Sequence, residues 1–267
     1  MPIEIPSEIC VLDQEAFHAL DRKLMRIVFD VHNEFGRFLD EILYKREIAA
    51  RWTEAGLGNA AAEVSITVRH ESFVKEFRMD LLFNGGLMLE VKTAETIGAA
   101  HRAQSLNYLL LAGLHHGKLV NLRPARVEHE FVSTRLTPEL RRNFSVMDAD
   151  WQPVSDECHA LRDKLIRLLE DWGAFLEVSL YREAMTHLLG GQNRVVQSVT
   201  VSSGARIIGE QTVHRLNRNT AFAFTAVTHE QDSMKEHQLR FLSHTPLECI
   251  QWVNFNHHQI EFTTLKK

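Results

Sequence analysis

The chain has 267 residues, 45% of them hydrophobic and 24% charged, with a formal net charge of −5. That balance excludes fibrous and disordered classes and suits one large globular domain or two small ones. The acidic surplus removes any general electrostatic pull toward nucleic acid, so a polyanion would have to be held by a local site.

No apolar run approaches the roughly 20 residues of a membrane span, and "MPIEIPSEIC" lacks a basic stretch followed by an apolar one. A cytoplasmic location with no membrane partner is the expectation. Cys10, Cys158 and Cys249 are odd in number, far apart and in no C-x-x-C arrangement, which reads as buried thiols.

In chain order, helical spacing of Leu20, Leu24, Ile27, Val28 and Val31 predicts a helix from Gln14 to Asn33, ending near Gly36. A second helix follows from Leu39 to Ala55. The period then changes to short β-rich runs, "EVSITVRH", "FVKEFRMDLLF" and "GLMLEVKT", the last two joined by the hairpin signal "NGG". A helix from Ala99 to Ala112 and strands "KLVNL" and "VEHEFVST" complete an ααβββαββ order. The segment from Thr137 to Glu157, with two prolines and mixed charge, reads as a joint.

Beyond that joint the order repeats. "FGRFLDEILYKRE" at Phe35 has a counterpart, "WGAFLEVSLYREA" at Trp172, 137 residues later. "ITV" at Ile66, "LNYL" at Leu106 and "VNL" at Val120 recur 133 residues later as "VTV", "LRFL" and "VNF". The expectation is a duplicated chain: residues 1–136, a linker over 137–157, and residues 158–267. Each half would be an α/β sandwich around a mixed sheet.

Within the first hairpin, a three-residue loop Asn84-Gly85-Gly86 sets Phe83 against Leu87, and hence Asp80 against Glu90 and Arg78 against Lys92. A two-residue turn would send the two acids to opposite faces. Two adjacent carboxylates call for a cation between them, and hard oxygen ligands suit Mg²⁺ or Mn²⁺ better than zinc. Lys92 would stand beside that ion, where an amine can assist hydrolysis of a phosphodiester.

These residues, with "VHNEFG", "DEILY", "RMDLL", "LEVKTAE", "AQSLNYL" and "GKLVNL" in that order, resemble the PD-(D/E)xK nuclease superfamily, and within it the bacterial proteins called GxxExxY. The resemblance runs from about Leu24 to Thr134. It implies an α/β fold of two PD-(D/E)xK, restriction-endonuclease-like sandwich domains in tandem, each a central mixed β-sheet flanked by helices. It implies a metal-dependent nuclease acting on DNA or RNA, with Asp80, Glu90 and the Val91 carbonyl on Mg²⁺ or Mn²⁺ and Lys92 acting on the nucleophilic water. Glu41 matches the family's helical acid and Gln104 its later helix, completing the expected catalytic set. Asp40 is an adjacent alternative to Glu41, because the second copy keeps Glu177 at its position and has Val178 at that of Glu41. Phe38 and Met79 stand where the family usually has glycine and proline.

In the second copy Asp80, Glu90, Lys92 and Gln104 fall on Val213, Ala223, Thr225 and His237. A duplicated chain with one emptied copy reads as an intramolecular pseudo-dimer, with the second half as scaffold. The competing expectation is a non-catalytic module of the same fold that binds nucleic acid or a partner protein. His115-His116 and His257-His258 lack a third ligand at usable spacing and read as surface residues.

Overall fold

A computed structural model describes residues 2–267. The fold is α/β, with two mixed six-stranded sheets flanked by helices. The chain divides into two compact units: residues 1–69 with 74–138, and residues 70–73 with 139–267.

The first unit contains β1 (Ile3–Glu4), α1 (Gln14–Phe35), α2 (Glu41–Glu54), β2 (Ala60–His70), β3 (Phe73–Phe83), β4 (Leu87–Lys92), α3 (Ala99–Ala112), β5 (His116–Asn121) and β6 (Glu128–Ser133). Helix α1 starts where Asp13 Oδ1 accepts from the Ala16 N–H at 2.8 Å, and it stops at Gly36, whose φ of 69° disfavours a side chain. Its buried face of Phe17, Leu24, Val28 and Val31 packs with Tyr44, Ile48 and Trp52 of α2. Both helices cover the sheet face formed by Leu81, Phe83, Leu87, Leu89 and Val91. The spacing of these residues, about 3.6 on the helices and 2 on the strands, is what lets one core form.

The sheet runs β1-β2-β3-β4-β5-β6. Phe83 faces Leu87 and Leu81 faces Leu89, so the loop has three residues. Strand β4 then pairs parallel with β5, setting Glu90 beside Leu119 and Lys92 beside Asn121, with α3 as the crossover. Met88 and Glu90, on the face opposite Leu87 and Leu89, are as buried as they are. Strand β4 is thus covered on both sides, which is why it reads as almost continuously apolar.

The second unit contains α4 (Pro138–Arg142), β7 (Ser145–Asp150), α5 (Asp156–Trp172), α6 (Val178–Leu188), α7 (Gln192–Val195), β8 (Val196–Ser203), β9 (Arg206–Arg215), β10 (Thr220–Thr225), α8 (Gln231–Ser243), β11 (Cys249–Asn256) and β12 (Gln259–Lys266). Its sheet runs β7-β12-β11-β10-β9-β8. Strands β10 and β11 are parallel, as β4 and β5 are in the first unit. Phe222 faces His214 and Ala221 faces Arg215.

Three contacts recur at fixed sequence offsets. Tyr44 Oη donates to the Gly36 carbonyl at 2.6 Å, and Tyr181 Oη donates to that of Gly173 at 2.5 Å. Asn121 Nδ2 donates to the Ala94 carbonyl at 2.9 Å and to Glu128 Oε2 at 3.0 Å. Asn254 Nδ2 likewise donates to the Val227 carbonyl at 2.8 Å and to Glu261 Oε2 at 2.9 Å.

The structure also differs from the sequence reading. The segment 137–157 carries α4 and β7, and β7 pairs parallel with β12, so its backbone groups are used in a sheet. Strand β1 was not expected either; it is a two-residue edge piece too short to carry a pattern. Cys10 is exposed, whereas Cys158 and Cys249 are buried. His116 is half-buried and stacks on Phe131 with ring centroids 5.4 Å apart, so it is not a surface residue.

Candidate active site

By strand alternation, β3 and β4 carry Asp80 and Glu90 on the face opposite Leu81 and Leu89. The Asp80 N–H donates to Glu90 Oε1 at 3.1 Å, and the Val91 N–H donates to Asp80 Oδ2 at 2.9 Å. Each acid therefore takes a backbone donor from the other's strand, which fixes both carboxylates side by side. Both are buried, Asp80 at 7% exposure and Glu90 at 1%. Burial, and then the Asp80 charge beside it, pushes the Glu90 carboxyl up to about 8.

Lys92 projects on the same face. Its Nζ lies 3.1 Å from Glu90 Oε2 and 4.0 Å from Asp80 Oδ2. Burial alone would lower its pKa, but the Glu90 and Asp80 charges outweigh that and hold it above the ordinary lysine value. The side chain is a cation at neutral pH.

A second lysine enters from α2, which the sequence reading did not identify. Lys45 Nζ lies 2.9 Å from Asp80 Oδ1, 2.5 Å from Glu63 Oε1 and 3.6 Å from Glu41 Oε1. Its side chain is buried, and its hydrogen bonds to Glu63 and Asp80 overcome the desolvation that would lower its pKa, raising it instead. Glu63 reaches it from β2 with φ at 51°, a backbone conformation that costs a residue with a side chain on the order of 1 kcal/mol. The one signal available in sequence was that Lys45 follows Glu41 by four residues, the spacing of a helical ion pair.

Of the expected residues, Glu41 joins this cluster, and its carboxyl is raised by burial and then by Asp80. Asp40 is the exposed residue capping α2 and lies outside it. Gln104 donates from Nε2 to Tyr108 Oη at 2.9 Å. Burial, chiefly, raises the Tyr108 phenol against the lowering effect of the Gln104 hydrogen bond, and the charges of Glu90, Lys92 and Asp80 act on it more weakly. His101 accepts from the Gly98 N–H at the start of α3.

Four carboxyl groups, Glu41, Glu63, Asp80 and Glu90, thus surround two ammonium groups; with Glu90 protonated, as its raised value favours at neutral pH, the deficit is one positive charge, and it becomes two once Glu90 ionises. Among the described residues no three His, Cys, Asp or Glu side chains converge as a preformed metal cage. The donor set is nonetheless oxygen-only and undercharged, which fits a hard divalent cation in kind.

The second unit treats the equivalent positions differently. Arg182, which follows Tyr181 as Lys45 follows Tyr44, donates from Nη2 to the Phe224 carbonyl at 3.2 Å. Val213, Ala223 and Thr225 leave that unit with no acid at the positions of Asp80 and Glu90. No helix among the described residues is long and apolar enough to cross a membrane.

No curated protein matches this chain. A solved structure, "Crystal structure of SSO0001", is similar over 42% of this chain and 66% of its own, at 20% identity and a TM-score of 0.24. Residues 18–133, which include every acid, lysine and amide of the cluster described above, match the family model of the PD-(D/E)XK nuclease superfamily.

Proposed function

We propose that the first unit is a divalent-metal-dependent nuclease that hydrolyses phosphodiester bonds of DNA or RNA. The observation that carries this reading is the pairing of Asp80 and Glu90 with Lys92 3.1 Å from Glu90, inside the stretch that matches a nuclease superfamily. Asp80, Glu90 and the Val91 carbonyl are the groups that would hold Mg²⁺ or Mn²⁺. When bound, such an ion would polarise the scissile phosphate and offset the charge that builds on its oxygens. Lys92 Nζ, kept cationic by its neighbours, would hydrogen-bond the attacking water or a phosphoryl oxygen. Glu41 would add charge on the helix side, and the buried setting of Glu90 would limit bulk water. The finer kinship to the GxxExxY proteins is part of the same proposal and rests on the motif order from "VHNEFG" to "GKLVNL".

The chain is further proposed to be a tandem duplication whose second copy serves as scaffold, an intramolecular pseudo-dimer. The same order of five strands, β2 to β6 and β8 to β12, the Phe83-Leu87 and Phe222-His214 registers, and the two Asn-Glu networks support it.

Purified protein is expected to cleave single- or double-stranded DNA or RNA with Mg²⁺ or Mn²⁺ and to lose that activity in chelator. Lys92→Ala should lower the rate by about 100-fold or more while leaving the fold intact. Cleavage at the original rate in that variant would place the activity elsewhere.

One observation favours the reading of a non-catalytic module: Lys45 already supplies a cation between Glu63 and Asp80. Calorimetric titration with Mn²⁺ separates the two, since a binding module needs no ion beside Asp80 and Glu90.

A further inference from the structure

The second unit contains a cavity that the nuclease reading does not use. It lies between β9, β10 and α8, at the positions where the first unit carries its acids. Val213, Ala223 and Thr225 are shorter than the Asp, Glu and Lys side chains of the other copy, and nothing larger fills the space. The result is a cavity of about 400 Å³ whose walls include Val213, Ala221, Ala223, Met234, Phe241 and Ile250. That volume lies within the roughly 300–1,000 Å³ of small-molecule sites, which are mostly apolar with a few convergent polar groups.

The polar groups are specific. Gln238 projects from α8 among these apolar walls, and both its Nε2 and its Oε1 are buried with no hydrogen-bond partner. An unpartnered carboxamide in such a place is costly; its two atoms are packed out of solvent contact, and a guest that turns the side chain into the cavity would satisfy both. The amide offers one donor beside one acceptor in a plane, so its complement is an edge with an acceptor beside a donor. Arg182 enters from α6 on the other side, and its contact with the Phe224 carbonyl engages one of the five donors a guanidinium carries. His237 and His214 stand at the lining as well. A guest therefore needs a flat apolar body, an acceptor-donor edge and an anionic group. Nucleobases carry that edge, and nucleotides combine all three features.

We propose that this cavity binds one nucleotide, with its base edge against Gln238 and its phosphate toward Arg182. The inference stands on the lining of the second unit and does not depend on catalysis by the first. The nucleotide is either free or part of a single strand, and the same chemistry serves both.

The test is calorimetric titration of the full chain in EDTA, so that no metal-dependent cleavage intervenes, with each of the four ribonucleoside monophosphates, the corresponding nucleosides, and a short unstructured oligonucleotide. Saturable binding is expected for at least one monophosphate. Gln238→Leu should weaken it by about tenfold, the worth of one good hydrogen bond. Ala223→Leu should abolish it by filling the cavity. If Ala223→Leu melts early, Gln238→Leu alone carries the test, since it keeps the volume of the side chain. Tighter binding of the oligonucleotide assigns the site to a strand, and tighter binding of a monophosphate assigns it to a free nucleotide. Absence of binding at millimolar concentration for every probe, equal affinity for nucleosides without phosphate, or unchanged affinity in a folded Gln238→Leu would each overturn the proposal. A failed cleavage assay would leave it untouched.

Discussion

Lys45 Nζ lies 2.9 Å from Asp80 Oδ1, so a side chain from helix α2 neutralises the acid that strand β3 presents to β4. The contact ties the helical layer to the two strands that form the cluster. It also places a monovalent cation against an acid proposed to hold a divalent one. Lys45 and the metal would therefore compete for Asp80, and Glu63 gives the ammonium a second partner to keep when Asp80 is engaged elsewhere.

Replacing this lysine separates the two roles. Lys45→Met leaves Asp80 and Glu63 without their ammonium and should destabilise the metal-free protein by roughly 2 kcal/mol, held to that by the partial solvation of Glu63. Added Mn²⁺ should narrow the gap, because an ion bound only by the native state stabilises it by mass action. Thermal melts of both proteins with chelator and with Mn²⁺ measure this. A variant that melts with the wild type in chelator would show that the ion pair contributes nothing.

The hairpin loop offers a test of the register itself. A methyl group on Gly85 would fall 2.5 Å from the Glu8 carbonyl, and Gly85 has φ at 70°. Gly85→Ala should therefore cost about 2 kcal/mol or more, yet keep the loop at three residues and retain Mn²⁺ binding. Deleting Gly86 shortens the loop to two residues and turns Asp80 away from Glu90. Stability curves and Mn²⁺ calorimetry on the two variants should diverge. Retained Mn²⁺ affinity in a folded Gly86 deletion would contradict the proposed site.

The hairpin was legible in sequence because "NGG" and the alternation on either side fix the register locally. The same holds for α3, whose ends at Ala99 and Ala112 follow from its apolar spacing and from Gly113. Lys45 was not legible, because its partners Glu63 and Asp80 lie 18 and 35 residues away and a lysine on a helix usually reads as part of a solvated face. Glu63 was hidden for a different reason: its left-handed backbone redirects a side chain that strand alternation would have sent elsewhere. Strand β7 escaped because an edge strand of mixed charge carries little apolar pattern. Gln238 was passed over because only the packed structure reveals that its amide has no partner.

The cysteines give a pH-dependent expectation. Burial, and then the nearby Cys158, pushes the Cys249 thiol up to about 11 from an ordinary value of 9.0. Between those values the unfolded chain releases the proton and the native one keeps it, so stability should fall as pH rises from 9 toward 11. At pH 8 an aromatic disulfide reagent should titrate Cys10, which is exposed, and reach Cys158 and Cys249 only after denaturation. Rapid modification of all three thiols in the native protein would show that Cys158 and Cys249 are accessible.

The two buried asparagines distinguish what the two units share from what they do not. Asn121 holds the chain just beyond Lys92, accepting from the Ala94 N–H at 3.1 Å and donating to the Ala94 carbonyl at 2.9 Å. Asn254 holds Val227 in the same way at 2.8 Å in both directions. Each also donates to a glutamate on the neighbouring strand, Glu128 or Glu261. Replacing either with alanine leaves two backbone groups without their partner and takes one donor from a half-buried carboxylate, for a loss of about 2 kcal/mol. The two losses should be similar, because the networks are similar. Their effects on cleavage should differ: Asn121→Ala frees the segment that positions Lys92 and should slow cleavage by about tenfold, as expected when a reacting group is displaced slightly. Asn254→Ala should leave the rate of the folded fraction unchanged. Equal rate losses in both variants, measured where each is fully folded, would place part of the catalytic work in the second unit.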